Sequence, residues 1–504
     1  MTDSIALSQL QDAARLMERG LHQAAERRCR EALHQQPDLA PAHHLLAVVL
    51  ANSGRLSEAL TPARRALELA PEQIQALLTV AELALHLGRH AEAADHYQQA
   101  LSQQPQDAGL LARLGVCRQS LGEYEAARQS YERAVAAGGE DPDLFFNLGA
   151  VLKRLSQFDA AERAHARACE MRPDAADYQL ALGVLQVDVA RYEQAVQTLD
   201  KVLALRPDDV EALGYKGYAQ LKLGDAEGAV RSHSRQLEQR PDSAGALAGL
   251  AASSVATGKP ADAVSYCDRL LTLDPANRNA WADKAIALSA LGRVDEARWL
   301  VDLDGQVLRQ EVDPPPGYAD IGEYNAALVA HLREHPRIQL DCLSVSCHNG
   351  FTSDEILVEP MGPLQHLSDA IHAAAERYKA ALALPPGHPY PAHMPSSWAL
   401  SAWCTMLRTQ GYQHGHIHSL AYLSGVYYLQ LPDSLGADDS DRAGWIEFGR
   451  APYWYGDGDQ GEIRALRPAP GTLLLFPSYV FHRTLPFSGE DMRITIAFDF
   501  QPRG

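Results

Sequence analysis

The sequence predicts a chain in two parts: an all-α solenoid of helix pairs, then an all-β sandwich or barrel with flanking helices. Three observations predict this. The first 300 residues repeat with a period of 34, small residues and prolines keep a fixed phase within that repeat, and after about Ser397 short apolar runs alternate with Gly and Pro. A chain of 504 residues is too long for one ordinary core. Apolar and charged shares of 46% and 22% are globular values.

The repeat comes first in the chain. Gly20, Gly54, Gly88, Gly122, Gly224, Gly258 and Gly292 stand on one 34-residue grid, with Ser156 and Ala190 at its two remaining points. Five residues after the grid points stand alanines, from Ala25 and Ala59 to Ala263 and Ala297. Seventeen residues after the first eight points stand prolines (Pro37, Pro71, Pro105, Pro173, Pro207, Pro241, Pro275), with Gly139 as the exception. A small residue lets the chain turn between two antiparallel helices. The alanine lets the two backbones approach. Proline stops the second helix, because it has no N–H to donate and its ring clashes with the preceding turn. Units such as "DLFFNLGAVLKRLSQFDAAERAHARACEMRP" carry apolar residues at helical spacing in both halves.

This pattern resembles the tetratricopeptide family over about residues 6–300. The resemblance implies a superhelix of helix pairs whose first helices line a groove for a peptide or protein. In that frame Leu45, Thr79, Arg113, Asn147, Ala181, Tyr215, Gly249 and Asp283 share one groove position. Stacked asparagines are absent from it, so a sequence-blind grip on peptide backbone is not expected. Phe146, Asn147, Val184 and Tyr218 are the expected substrate-holding residues. The first domain is expected to span 1–298 and the second 299–504. The ninth repeat loses its pattern after "ALSALGRVDEARWLVD", and "DPPPGY" cannot lie inside a helix.

Beyond that boundary, "NAALVAHLREHP" and "PLQHLSDAIHAAAERYKAALAL" read as helices. "LSGVYYLQL", "GWIEFG", "GTLLLFP" and "RITIAFDF" read as strands bounded by turn residues. Just before the first of these strands stands "YQHGHIHSL", with His414, His416 and His418 at alternate positions. On a strand, residues i and i+2 share a face with Cα atoms roughly 6.6 Å apart. Two such imidazoles can meet one ion at about 2.1 Å. Residues i and i+4, about 13 Å apart, cannot do so comfortably. Either His414 with His416 or His416 with His418 therefore forms the pair, and a third ligand comes from elsewhere. His482, in "FPSYVFHRTLPF", is the best candidate. Arg493 follows eleven residues later.

This constellation resembles the 2-oxoglutarate and Fe(II)-dependent oxygenases. More narrowly, it is similar to a bacterial oxygenase family often fused to tetratricopeptide repeats, matched by "HIHSLAYLSGVYYL", "GWIEFGR", "PAPGTLLLFPSYVFHRTLPF" and "RITIAFDF". The resemblance covers about residues 298–504. It implies a double-stranded β-helix (jelly roll) and a metal site of His416, His418 and His482. It also implies Fe(II), with 2-oxoglutarate as co-substrate and O₂ as oxidant. Arg493 would hold the distal carboxylate of 2-oxoglutarate, with Thr495, Tyr428 and Ser424 as further cofactor contacts. The broad superfamily has a carboxylate where this chain has His418, so three neutral imidazoles leave the site one charge more positive.

A net charge of −19 argues against a nucleic-acid partner, which would need a basic face, and against an anionic membrane surface. No run approaches 18 apolar residues, and the N-terminal stretch lacks a basic segment followed by an apolar one. With seven scattered cysteines, of which only Cys342 and Cys347 lie close together, reduced thiols and a cytoplasmic location are expected. The combined reading is a hydroxylase of a protein or peptide that the solenoid recruits. The competing readings are an interaction scaffold with a non-catalytic barrel and an oxygenase acting on a small molecule.

Overall fold

The computed structural model describes residues 2–338, 347–433, 435, 442–456 and 461–503. It falls into two compact units, Met1–Gln186 and Val187–Gly504. The last repeats thus group with the strands that follow them. Cys342 lies outside the described residues.

The first unit is built of antiparallel helix pairs, among them Ala40–Asn52 with Leu56–Leu69 and Pro142–Arg154 with Phe158–Met171. The grid residues explain the turns. Gly20, Gly54, Gly88 and Gly122 have φ of 72°, 77°, 72° and 79°, and Ser156 takes the same region at 59°. This left-handed conformation closes a helix and suits glycine, which has no Cβ to clash. Ala25, Ala59, Ala93, Ala127 and Ala161 are fully buried at the close approach of the paired helices. The second helices end two residues before the prolines, at Gln35, Leu69, Gln103 and Met171.

The second unit continues the helix pairs through Val210–Lys222 with Ala226–Gln239, Ala244–Ala256 with Pro260–Leu273, and Arg278–Ala290 with Val294–Leu300. Side chains of Asp209, Asp225, Ser243 and Asn277 accept backbone N–H groups at the helix starts, satisfying donors left open there. Nine strands follow: β1 (Leu308–Glu311), β2 (Cys347–Thr352), β3 (Trp398–His416), β4 (Leu423–Gln430), β5 (Ile446–Phe448), β6 (Arg464–Leu466), β7 (Thr472–Pro477), β8 (His482–Thr484) and β9 (Arg493–Pro502). Among the described residues they form one antiparallel sheet in the order β1-β7-β4-β9-β3-β8-β5-β6, with β2 also on β3. This curled sheet is consistent with a jelly roll. Helices Ile321–Glu334 and Leu364–Ala381 contribute Leu328, Leu332, Leu367 and Ile371 to its core.

The expected helices and four strands are present. "LDGQVLRQEV" corrects the picture of a repeat that simply fades, because it forms a helical turn, Leu303–Gln306, and then edge strand β1. Strand β2 has no clear alternation and was not expected. Strand β3 runs 19 residues and ends on His416, so His418 stands past the strand and not on it.

Among the polar contacts that join repeat helices to strand-domain loops within this unit, one is buried and titratable. The Tyr455 hydroxyl donates to Asp283 Oδ1 at 2.5 Å. Burial raises the Asp283 carboxyl from 3.8 to about 7, with the Tyr455 hydrogen bond pulling the other way. The folded state keeps this proton to higher pH than the unfolded chain does. Stability therefore falls as pH rises from about 3.8 to about 7 and then levels off. Asp283→Asn keeps an acceptor for Tyr455 and removes the ionisation. The variant is expected to melt above the wild type at pH 8 and to lose that advantage near pH 4, as scanning calorimetry can check.

Candidate active site

Central strand β9 lies between β3 and β4. Residues opposite one another in antiparallel pairs share a face, so three rows cross the sheet: Ser401–Asp499–Ser424, Trp403–Ala497–Val426 and Thr405–Thr495–Tyr428. Arg493 follows on the same face of β9. A cavity of about 210 Å³ lies over these rows, reaching from His416, His418 and His482 to Thr495 and Arg493.

At one end the register of β3 and β8 sets His416 directly opposite His482. The backbone N–H of His418 donates to Ser478 O at 2.9 Å, which holds the chain just past β3. One ring nitrogen from each of His416, His418 and His482 lies within 4.8 Å of the others. The ring centroids are 4.4, 5.1 and 5.2 Å apart. Each Nδ1 faces an oxygen: His414 O at 2.7 Å from His416, Asp499 Oδ1 at 2.7 Å from His418, and Val480 O at 3.0 Å from His482. These oxygens can only accept, so each Nδ1 carries a proton, and in the neutral ring Nε2 is the nitrogen that keeps its lone pair. Burial, together with the neighbouring His418, pulls His416 down to about 4, and burial pulls His482 well below the ordinary histidine value. Both rings are therefore neutral at pH 7, as metal ligands must be. His414 stands apart, its ring 5.0 Å from Tyr412 and 5.7 Å from Tyr453.

At the other end Arg493 is 1% exposed. Among the described residues no carboxylate lies within ion-pair distance of it, and its Nε has no hydrogen-bond partner. Its guanidinium carbon is 5.3 Å from the centre of the Tyr428 ring. Thr405 Oγ1 is also buried without a partner, and Tyr428 Oη has the Arg493 guanidinium as its polar neighbour. Buried polar groups are nearly always satisfied, and an unpaired buried cation is costly. The three groups, on neighbouring rows, form a ready cradle for an anion. A guanidinium suits a carboxylate through two parallel hydrogen bonds, and Tyr428 and Thr405 could each donate one more. The residues present fit a divalent metal at one end and a carboxylate at the other.

The expected cofactor contacts divide. Arg493, Thr495 and Tyr428 cluster at the cation end. Ser424 lies in the row nearest the histidines, where its hydroxyl donates to Asp499 Oδ1 at 2.6 Å. Two residues of the candidate site escaped the sequence reading. Thr405 looks like any strand residue in "SAWCTMLR". Asp499 ends the alternation of "RITIAFDF" as an acid on the buried face, and this was the available signal.

An ionised Asp499 would supply a negative charge directly behind His418 in a three-histidine metal site. A carboxylate behind a ligating imidazole orients the ring and raises its basicity. Asp499→Asn keeps an acceptor but removes the charge. It is expected to weaken Fe(II) or Co(II) binding by about 10–100-fold, measured by anaerobic calorimetry, with the melting temperature of the chain little changed.

A second, larger cavity of about 1050 Å³ opens on one of these histidines, His416. Gly245, Ala248 and Ala252 add little bulk to its floor, whereas the space beside Gly214 and Gly249 is taken up by Gln236 and His233. Its walls include Tyr192, Tyr215, Tyr218 and Trp454, and it reaches Gly415, His416, Ile417 and Ser419. Of the four expected groove residues, Tyr218 lines this cavity. Phe146 packs in the first unit, its ring stacked 5.0 Å from Tyr178 and edge-on to His165 at 5.6 Å. Asn147 and Val184 are half-buried in the same unit.

A family model described as "Putative 2OG-Fe(II) oxygenase" matches residues 401–499. Tetratricopeptide-repeat models match residues 10–74 and 180–244, and residues 84–150 and 254–304. No curated protein matches the chain. Similar solved structures include the C-terminal part of a repeat-containing protein from Cytophaga hutchinsonii (16% identity, 48% of this chain and 99% of that one, TM-score 0.42). Another is PilF of Pseudomonas aeruginosa (19%, 42% and 96%, TM-score 0.36). A third is YrrB, titled a repeat protein with an unusual peptide-binding site (20%, 44% and 95%, TM-score 0.28). No helix among the described residues is long and apolar enough to cross a membrane.

Proposed function

We propose, from the premise that this chain joins tetratricopeptide repeats to a C-terminal 2OG-Fe(II) oxygenase domain, that it is a 2-oxoglutarate-dependent hydroxylase of a peptide segment. The observation that carries this reading is the small cavity itself, with three clustered imidazoles at one end and, at the other, the buried Arg493 without a carboxylate partner among the described residues. His416, His418 and His482 would hold Fe(II), which together with 2-oxoglutarate and O₂ supplies oxidation of an unactivated C–H bond. The balance is one substrate C–H, one O₂ and one 2-oxoglutarate giving one C–OH, one succinate and one CO₂.

The chain's own groups do the positioning. Arg493 and Tyr428 would hold the distal carboxylate, and Thr405 and Thr495 extend that polar row. Trp403, Val426 and Ala497 line the middle of the cavity with apolar surface and keep water out. Asp499, itself held by Ser424, fixes the ring of His418.

A peptide substrate is favoured by the size of the second cavity. A free metabolite needs only a pocket, whereas about 1050 Å³ of space walled by repeat helices and open to His416 suits a chain segment. Purified full-length protein with Fe(II) should release succinate from 2-oxoglutarate slowly alone and faster with its substrate. No Fe(II)-dependent succinate from the metal-loaded wild type, with or without a lysate as substrate source, would sink the enzymatic reading in favour of a binding scaffold.

A further inference from the structure

Lys222 ends the repeat helix Val210–Lys222, and its side chain enters the larger cavity. Its ammonium lies 3.1 Å from the centre of the Trp454 ring and 5.2 Å from that of Tyr218. The Tyr453 hydroxyl donates to the Lys222 carbonyl at 3.2 Å, which keeps this aromatic loop against the helix end. Two aromatic faces steer an ammonium by their quadrupoles but supply no negative charge. Among the described residues no carboxylate lies within ion-pair distance of Lys222, although many of the other repeat lysines and arginines have such partners, such as Lys216 with Asp200 and Lys284 with Asp268. Burial also pulls its pKa down to about 7, showing how little water reaches it.

The acids that share the cavity do not neutralise it. Asp283 is engaged by Tyr455; Glu211 stands exposed in the first turn of the same helix as Lys222, at its opposite end, and Asp188 is exposed at the end of helix Ala176–Asp188. The cavity extends from Lys222 to His416. An oriented, desolvated cation on the wall of a substrate cavity lacks one thing, an anion brought by the substrate. The Lys222 ammonium already occupies the cation-binding face of Trp454, so a second cation is not what the place accepts.

We propose that Lys222 docks a carboxylate of the substrate, namely an acidic side chain near the residue that is hydroxylated. This rests on the hydroxylase reading for its meaning, but the carboxylate site is tested by binding alone. Trp454 and Tyr218 are its positioning residues, since they hold the ammonium without touching the anion.

The test uses the full-length chain, saturated with 2-oxoglutarate so that Arg493 is occupied. A randomised peptide library is selected on the wild type, on Lys222→Met and on Lys222→Arg. The pool from the wild type should be enriched in Asp and Glu. Lys222→Met should lose the enrichment, and Lys222→Arg, which keeps the charge, should retain it. Individual selected peptides should bind Lys222→Met about tenfold or more weakly, in keeping with a charge-assisted hydrogen bond. A parallel arm titrates free glutamate and aspartate. Lys222-dependent binding there assigns the carboxylate to a small acid instead of a peptide. Equal acidic content in the wild-type and Lys222→Met pools, with no Lys222-dependent binding of the free acids, overturns the proposal. Melting curves establish that the variants are folded. Because no turnover is read, failure of this site and failure of the oxygenase reading are separate results.

Discussion

Arg493→Met should abolish saturable 2-oxoglutarate binding and, in the same protein, raise the melting temperature of the ligand-free chain. The two effects have one cause. Arg493 is a buried guanidinium without a carboxylate partner among the described residues. Burial pulls its pKa down, because the charged form is the one that loses water. A ligand carboxylate would relieve this, and removing one partner of such a pair costs about 2–5 kcal/mol, or roughly 30-fold or more in affinity. Without the ligand, an apolar side chain of similar length removes the uncompensated charge and stabilises the fold. Metal binding should be unaffected. A variant that bound 2-oxoglutarate normally, or that lost metal as well, would refute the assignment. A merely structural arginine would give the opposite melting shift.

His482→Ala should eliminate stoichiometric binding of Fe(II) or Co(II), a loss larger than the roughly 10–100-fold expected for the residues behind the ligands. Two imidazoles would remain, 5.2 Å apart between ring centres. The informative control is His414→Ala, which should bind metal as the wild type does. His414 has the same local sequence spacing as His418 but turns its ring toward Tyr412 and Tyr453. Metal analysis of the two purified variants decides the matter. Loss in His414→Ala with retention in His418→Ala would show that the wrong pair of alternate histidines has been assigned.

Much of this was legible in the residues because local rules dictate it. A turn that needs a positive φ selects glycine, and Gly224, Gly258 and Gly292 continue at 81°, 68° and 73° what the first unit begins. The same demand explains why Ser156 and Ala190 remain in phase, each at φ 59°. The histidine pair was narrowed by spacing and assigned by resemblance. Asp499 and Thr405 were hidden because their meaning depends on register: each becomes informative only when β9 is laid beside β3 and β4. The cavity of the repeats was hidden for a related reason. Gly249 and Asp283 were visible as groove positions, but whether small residues leave a void depends on what packs opposite them. The hollow and Lys222 emerge only once Trp454 and Tyr455 lie against those helices.

A single strand carries both Asp499 and Arg493, six residues apart on one face, a span of roughly 20 Å along the backbone. It acts as a fixed gauge. The separation between the cation and the histidine held by Asp499 is written into β9, and neither end can move without the other. A one-residue insertion would turn every later side chain to the opposite face. The length of acid that the small cavity could accept would thereby resist gradual change. The wall of the larger cavity has no such tie. Tyr192, Tyr215, Tyr218 and Lys222 sit on two repeat helices, and repeats of this kind depend chiefly on their neighbours. Substitutions there can accumulate singly without disturbing the gauge. Lineages of this architecture should therefore keep one co-substrate while the molecules they modify diverge.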